Sequence, residues 1–190
     1  GGGGSSTLAG TVAGEDAMDS FDLFDEEALL KAEDALHAAR EHRVVHLHRK
    51  GALQTQLPRL LERVLARIRR ADASRWRLLA GRTVGVRSAE LHIYQPGGGV
   101  TDPQHRDAGS LLTLSVLLTP PAEFAGGQLS LTHVGGDATT SAICPSLGCG
   151  DGVLFASEKR HNVSTLEQGE RRTFIIELWE GPTNEHNRHK

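Results

Sequence analysis

From Thr83 to Trp179 the chain is a succession of short runs rich in Val, Ile, Leu and Thr, each closed off by a cluster of Gly, Pro or Asp. Seven such runs stand out: "TVGVRSAELHIY", "LLTLSVLLT", "GQLSLTHV", "TTSAI", "GVLFAS", "HNVSTL" and "RRTFIIELW". Their β-branched content suits a pleated, partly buried surface, and most are too short for an ordinary helix. They predict a mainly β protein, an antiparallel sandwich or barrel of the jelly-roll type.

The part before Gly81 is written differently. Residues 1–14 are rich in Gly, Ser, Thr and Ala and read as a flexible linker, with one catalytic-size domain over 15–190. Within it, helical support is expected over 20–80 and the β core over 82–180. "FDLFDEEALLKAEDALHAAREH" has a cap at Asp25 and apolar Leu29, Leu36 and Ala39 near helical spacing. "RVVHLH" suits a strand. Leu57, Leu60, Leu61, Val64, Leu65 and Ile68 recur at three and four, which predicts a second amphipathic helix starting around Pro58. These helices back the β core on one sheet. An immunoglobulin-like sandwich is the structural rival, but neither the helical third nor the cysteines suit it.

With 190 residues and 38% hydrophobic content the chain can bury one ordinary core. The net charge of -3 hides two blocks: nine acids against Lys31 alone between Glu15 and Asp34, and eight arginines between Arg59 and Arg82. The simplest expectation is two solvated helices meeting across a salt-bridged seam. Tandem Arg69-Arg70 and Trp76 are the only features that favour nucleic acid, and Trp76 is expected as a core anchor beside the helix. Cys144 and Cys149 are too few for a disulfide framework or a closed zinc site and read as thiols. No run approaches membrane-spanning length, and the start resembles no signal peptide, so the chain as given is expected to be soluble. Beginning on glycines without a methionine, it is expected to be a piece of a longer protein. No residue fixes a compartment or an oligomeric state.

The chemistry-bearing stretch is "DPQHRDAGS". His105 and Asp107 are two apart, so an extended backbone turns both to one side and can offer a nitrogen and an oxygen to one ion. With ten His and ten Asp in the chain, about 0.5 such pairs arise by chance, so the pair alone is weak. A third ligand is needed, and His161 opens a later strand. Gly169 in "EQGE" reads as the turn of a hairpin that returns along Arg171 to Trp179. Two histidines and a carboxylate on one face of an ion form the facial triad of non-haem Fe(II) oxygenases. Beside it, the planar fork of Arg171 suits capture of a remote carboxylate. His46-x-His48 also has the spacing of two ligands, but no carboxylate or histidine follows at useful distance along the chain.

Taken in order, Tyr94-x-Pro96 with "GGG", His105-x-Asp107, "FAGGQLSL", Pro145-x-x-Gly148 with "GDGVLF", His161-x-Val163 and Gly169-x-Arg171 resemble the prolyl 4-hydroxylase-like branch of the Fe(II)/2-oxoglutarate-dependent dioxygenases. The resemblance covers about residues 85–180. It implies a double-stranded β-helix (cupin-like) core with His105, Asp107 and His161 as iron ligands. Arg171 then binds the distal carboxylate of 2-oxoglutarate and Tyr94 helps to hold that co-substrate, while Gly126 and Gly127 make a tight turn. Arg172, on the opposite face, has no such role. The implied cofactors are Fe(II), 2-oxoglutarate and O2, with ascorbate as an accessory reductant. The implied reaction is hydroxylation of a C–H bond, with a peptidyl (prolyl) side chain as the first substrate expectation, and formation of succinate and CO2.

The chain departs from the pattern at Thr165, where a proline is common, and at Leu117 and Leu118, where some relatives place a tyrosine. Neither departure removes a ligand. Alternatives are oxidative demethylation or hydroxylation of nucleic acid or a small molecule, a zinc hydrolase, and a non-catalytic barrel acting as a binding module. A hydrolase has no use for Arg171, and a binding module no use for the complete set. Ser110 and Thr113 are candidates for the pocket wall, and substrate choice is expected in the loops 82–88 and 135–140.

Overall fold

The computed structural model describes residues 41–134 and 140–186. The expected linker over 1–14, the acidic helix with Asp25, Leu29, Leu36 and Ala39, and most of the loop 135–140 lie outside the described residues. The described chain opens with β1 (His42–His46), followed by the helices α1 (Ala52–Gln56) and α2 (Pro58–Arg75). Nine strands follow: β2 (Val84–Tyr94), β3 (Leu112–Leu117), β4 (Phe124–Gly126), β5 (Leu129–Val134), β6 (Thr140–Ile143), β7 (Gly152–Ala156), β8 (His161–Val163), β9 (Leu166–Gly169) and β10 (Arg171–Glu180).

One wall is a five-stranded sheet in the order β1-β2-β10-β3-β7; the other is made of β6-β5-β8 and the pair β4-β9. Every neighbouring pair among the described strands is antiparallel, as in a jelly roll. Alternation along the central strands sorts the residues by face. Val86, Ala89, Leu112, Phe174, Ile176 and Leu178 pack outward in one apolar cluster with Leu53, Ile68 and Leu79. Their strand neighbours Ser88, Glu90, Thr113, Ser115, Thr173 and Glu177 are buried on the other face, inside the barrel. The helix-covered outside of this sheet is therefore greasy and its inner face mainly polar, while the opposite wall lends the interior a second apolar cluster of Tyr94, Leu129, Val163 and Leu166.

Helix α2 starts at Pro58, whose missing N–H and preset φ suit the first turn. Only part of its apolar stripe is used: Ile68 is buried, whereas Leu57 and Leu60 are exposed. Near the helix end, buried Asp72 accepts hydrogen bonds from the backbone N–H groups of Leu78 (2.8 Å) and Leu79 (3.0 Å) beyond it and directs Leu79 inward. Trp76 is consequently no core anchor. It sits at the helix C-cap, 38% exposed, because the turn at Arg77 gives the buried place to Leu79.

Two further expectations change. The segment 82–88 is not a substrate loop: from Val84 it is part of β2, and Ser88 is fully buried. Gly169 does not turn a hairpin. Strand β9 pairs with β4 (Phe124 opposite Gly169), while β10 pairs with β2 and β3, so Gly169 is a corner between walls. Its φ of 78°, and the 2.1 Å that would separate an added Cβ from the Glu123 carbonyl oxygen, explain the glycine.

Candidate active site

His105 and Asp107 come from the loop between β2 and β3, and His161 from the start of β8. The backbone ties these pieces together: the His161 N–H donates to the His105 carbonyl (3.1 Å), and the Asp107 N–H to the Ser157 carbonyl (3.0 Å). One ligand atom from each side chain lies within 4.8 Å of the others. His105 Nε2 is 3.8 Å from Asp107 Oδ1, and His161 Nε2 is 3.6 Å from Asp107 Oδ2. The two imidazoles meet edge to face at 4.8 Å between centroids.

The surroundings fix the orientation of two ligands. His161 Nδ1 donates to the Lys159 carbonyl (3.0 Å), and because a carbonyl only accepts, Nε2 keeps its lone pair for the site. Thr113, one of the candidate wall residues, donates from Oγ1 to Asp107 Oδ2 (2.7 Å) and is 2.9 Å from Ser157 Oγ. Asp107 and His161 are buried, whereas the side chain of His105 is 34% exposed. Ser110 serves a different carboxylate: it donates to Glu177 Oε2 (2.6 Å), whose Oε1 accepts from Ser88 (3.0 Å).

A cavity of about 130 Å³ joins the triad to Tyr94, His92, His42 and Thr173. Behind Tyr94, Arg171 lines a neighbouring pocket of about 340 Å³ with Leu117, Phe124 and Gly127. It is opposite Tyr94 in the β2–β10 register, with its guanidinium carbon 5.4 Å from the Tyr94 ring centroid. Arg171 is buried, and among the described residues its Nη1 has no hydrogen-bond partner. A buried guanidinium donor without an acceptor fits a carboxylate. Thr173, two residues along the same face, stands by the Tyr94 hydroxyl. Burial lowers the Arg171 pKa and Tyr94 pulls it back, while burial pushes the Tyr94 hydroxyl up to about 12. Arg172 is exposed, as alternation requires. Leu117 is buried next to this wall, and Leu118 is exposed.

Thr173 was legible only by stepping two residues from Arg171. Nothing in the sequence pointed to the histidine pair beside it. His42 lies flat on Tyr94, with centroids 4.1 Å apart and planes at 16°, and its Nε2 is 2.9 Å from His92 Nδ1. Burial, then His92, bring the His42 pKa down to about 4, with Glu90 pulling it back and Arg171 adding a smaller push down. Unfolded histidine titrates near 6.5, so between about 6.5 and 4 the unfolded chain takes up the proton that folded His42 refuses. The stability held by neutral His42 is thus complete above that window and falls as the pH drops through it. His42→Phe should flatten this part of the profile in urea unfolding at pH 7 and 4.5, and an unchanged pH slope would refute the assignment.

No protein-family description matches the chain, and no curated relative matches it in sequence. Solved structures do match. The 2OG-Fe(II) oxygenase family oxidoreductase from Burkholderia pseudomallei is 17% identical, with a TM-score of 0.55 over 86% of this chain and 83% of its own. The prolyl hydroxylase from Trichoplax adhaerens, in complex with a hypoxia inducible factor peptide fragment, is also 17% identical, with a TM-score of 0.50 over 82% and 77%. Identities this low speak for architecture rather than for activity. In its two antiparallel walls the chain has the jelly-roll fold of the 2OG-Fe(II) oxygenases and prolyl hydroxylases.

Proposed function

We propose that this protein is an Fe(II)- and 2-oxoglutarate-dependent oxygenase that hydroxylates a C–H bond, with a peptidyl side chain such as proline as its substrate class. The observation that carries the proposal is a two-histidine, one-carboxylate face whose cavity is walled by Tyr94, with buried Arg171 behind that ring and its Nη1 unpartnered among the described residues. A metal hydrolase would need the first and have no use for the second.

His105, Asp107 and His161 would hold the iron, and Arg171 would hold the distal carboxylate of 2-oxoglutarate, Tyr94 flanking it. So held, the pair supplies O2 activation: 2-oxoglutarate is oxidised to succinate and CO2 while one oxygen atom enters the substrate C–H bond. The chain contributes placement. Thr113 keeps one Asp107 oxygen turned, and the Lys159 carbonyl keeps the His161 lone pair on the site. Arg171 stays cationic in a buried place where a carboxylate gains most from it. The partly exposed His105 is the side from which a peptide can approach.

A peptide is preferred because the Trichoplax adhaerens structure of this fold holds one. The arginines of α2 give nucleic acid little support, since α2 packs on the outer face of the five-stranded sheet, away from the cavity. The deciding experiment adds Fe(II) and then 2-oxoglutarate without oxygen, looks for a visible charge-transfer band, and then admits oxygen and measures succinate. Absence of both band and succinate would end this reading.

A further inference from the structure

The antiparallel register of β1 and β2 sets His46 opposite Glu90, which supplies the carboxylate that His46-x-His48 lacks in the linear sequence. We propose that His46, His48 and Glu90 form a second metal site, for a zinc-class divalent cation, built from residues other than the His105, Asp107 and His161 set. One ligand atom of each lies within 4.8 Å of the others. His46 Nδ1 and Glu90 Oε1 are 3.1 Å apart, a hydrogen bond whose proton a bound cation would replace. Two ligands on one tetrahedral zinc, each at about 2.0–2.2 Å, stand roughly 3.3–3.5 Å from each other, so these two atoms already have nearly the separation the ion demands.

The residues around them are arranged as an outer shell. Glu90 Oε2 is 3.0 Å from His92 Nε2, which orients the carboxylate and leaves Oε1 to the site. His48 is fully buried, and its Nε2 has no hydrogen-bond partner among the described residues. Its Nδ1 is 3.2 Å from the Ala89 carbonyl and 3.1 Å from the Ala89 N–H. If Nδ1 accepts from the N–H, Nε2 carries a proton with no acceptor. If Nδ1 donates to the carbonyl, Nε2 carries a lone pair with no donor. Either state leaves a buried polar atom unsatisfied, and a cation at Nε2 relieves the second.

Two imidazoles and one carboxylate favour zinc over magnesium or calcium, which take oxygen ligands. Entry is through His46, whose side chain is 32% exposed. The consequence reaches the cavity. In the five-stranded sheet β1 is bonded on one side only, to β2, and it carries the His42 that lies on Tyr94. An ion shared between the end of β1 and β2 would pin this strand.

The test is zinc titration by calorimetry of a chelator-stripped chain carrying His105→Ala and His161→Ala, repeated with cobalt(II) to read coordination from its visible bands. The expected result is one zinc per chain and a raised Tm, both lost when His46→Ala is added. His46 is partly exposed, so this variant should fold, and far-ultraviolet circular dichroism checks that it does. Glu90→Gln is the second disabling variant. No stoichiometric zinc in the first variant, or zinc that survives both His46→Ala and Glu90→Gln, overturns the proposal. Neither readout involves oxygenase turnover: zinc failure with succinate formation intact removes this inference alone, and the reverse removes only the proposed function.

Discussion

His161→Ala is expected to reduce 2-oxoglutarate turnover on the order of 1000-fold, about 4 kcal/mol of transition-state stabilisation at about 1.4 kcal/mol per tenfold. The size follows from what the residue does. Its Nε2 lone pair is held on the site by the Lys159 carbonyl, and in the proposed metal set it is one of three protein ligands, so alanine would leave two. The anaerobic charge-transfer band should vanish together with succinate formation. The fold should survive, because the His161 side chain contributes little to the apolar cluster on the outer sheet face. Wild-type turnover in a folded His161→Ala protein would remove His161 from the metal set.

Arg171→Leu is expected to raise KM for 2-oxoglutarate about 100-fold, near the 3 kcal/mol of a charge-assisted pair made out of water. Stability should change far less. Among the described residues Arg171 has an unpartnered nitrogen and its contact is the Tyr94 ring, so the leucine removes a buried charge at the cost of that stacking. The two effects separate in a thermal shift experiment on protein loaded with a redox-inert divalent metal. Added 2-oxoglutarate should raise the Tm of the wild type and leave that of Arg171→Leu where it is. A KM within twofold of wild type would mean that the co-substrate's far carboxylate is held elsewhere.

What could be read without coordinates divides along a physical line. Strand runs, the helix from Pro58 and the inward face of Arg171 follow from periodicity, which is local. Gly169 shows the limit. Its positive φ is legible as a turn, but whether the next strand returns alongside or crosses to the other wall depends on pairing with Phe124, more than forty residues earlier. Trp76 failed for a related reason: apolar character predicts burial, but the Asp72 carboxylate selects which side chain after the helix turns in. Partnership across strands was wholly hidden. Neither Glu90 between His46 and His92, nor Glu177 between Ser88 and Ser110, can be inferred before the register is known.

The inside-out distribution of polarity on the five-stranded sheet also bears on how the chain finds its structure. A one-residue slip of β2 would drive Glu90 and His92 under the helices and turn Ala89, Leu91 and Ile93 into the cavity. Such a slip strands carboxylate and imidazole in grease and leaves Ser88 and Glu177 without each other. Mispairing is thus penalised from both faces at once, so a chain that has closed its hydrophobic layer has, in the same event, assembled the pocket. Folding yield and competence for chemistry should rise and fall together in variants of this strand.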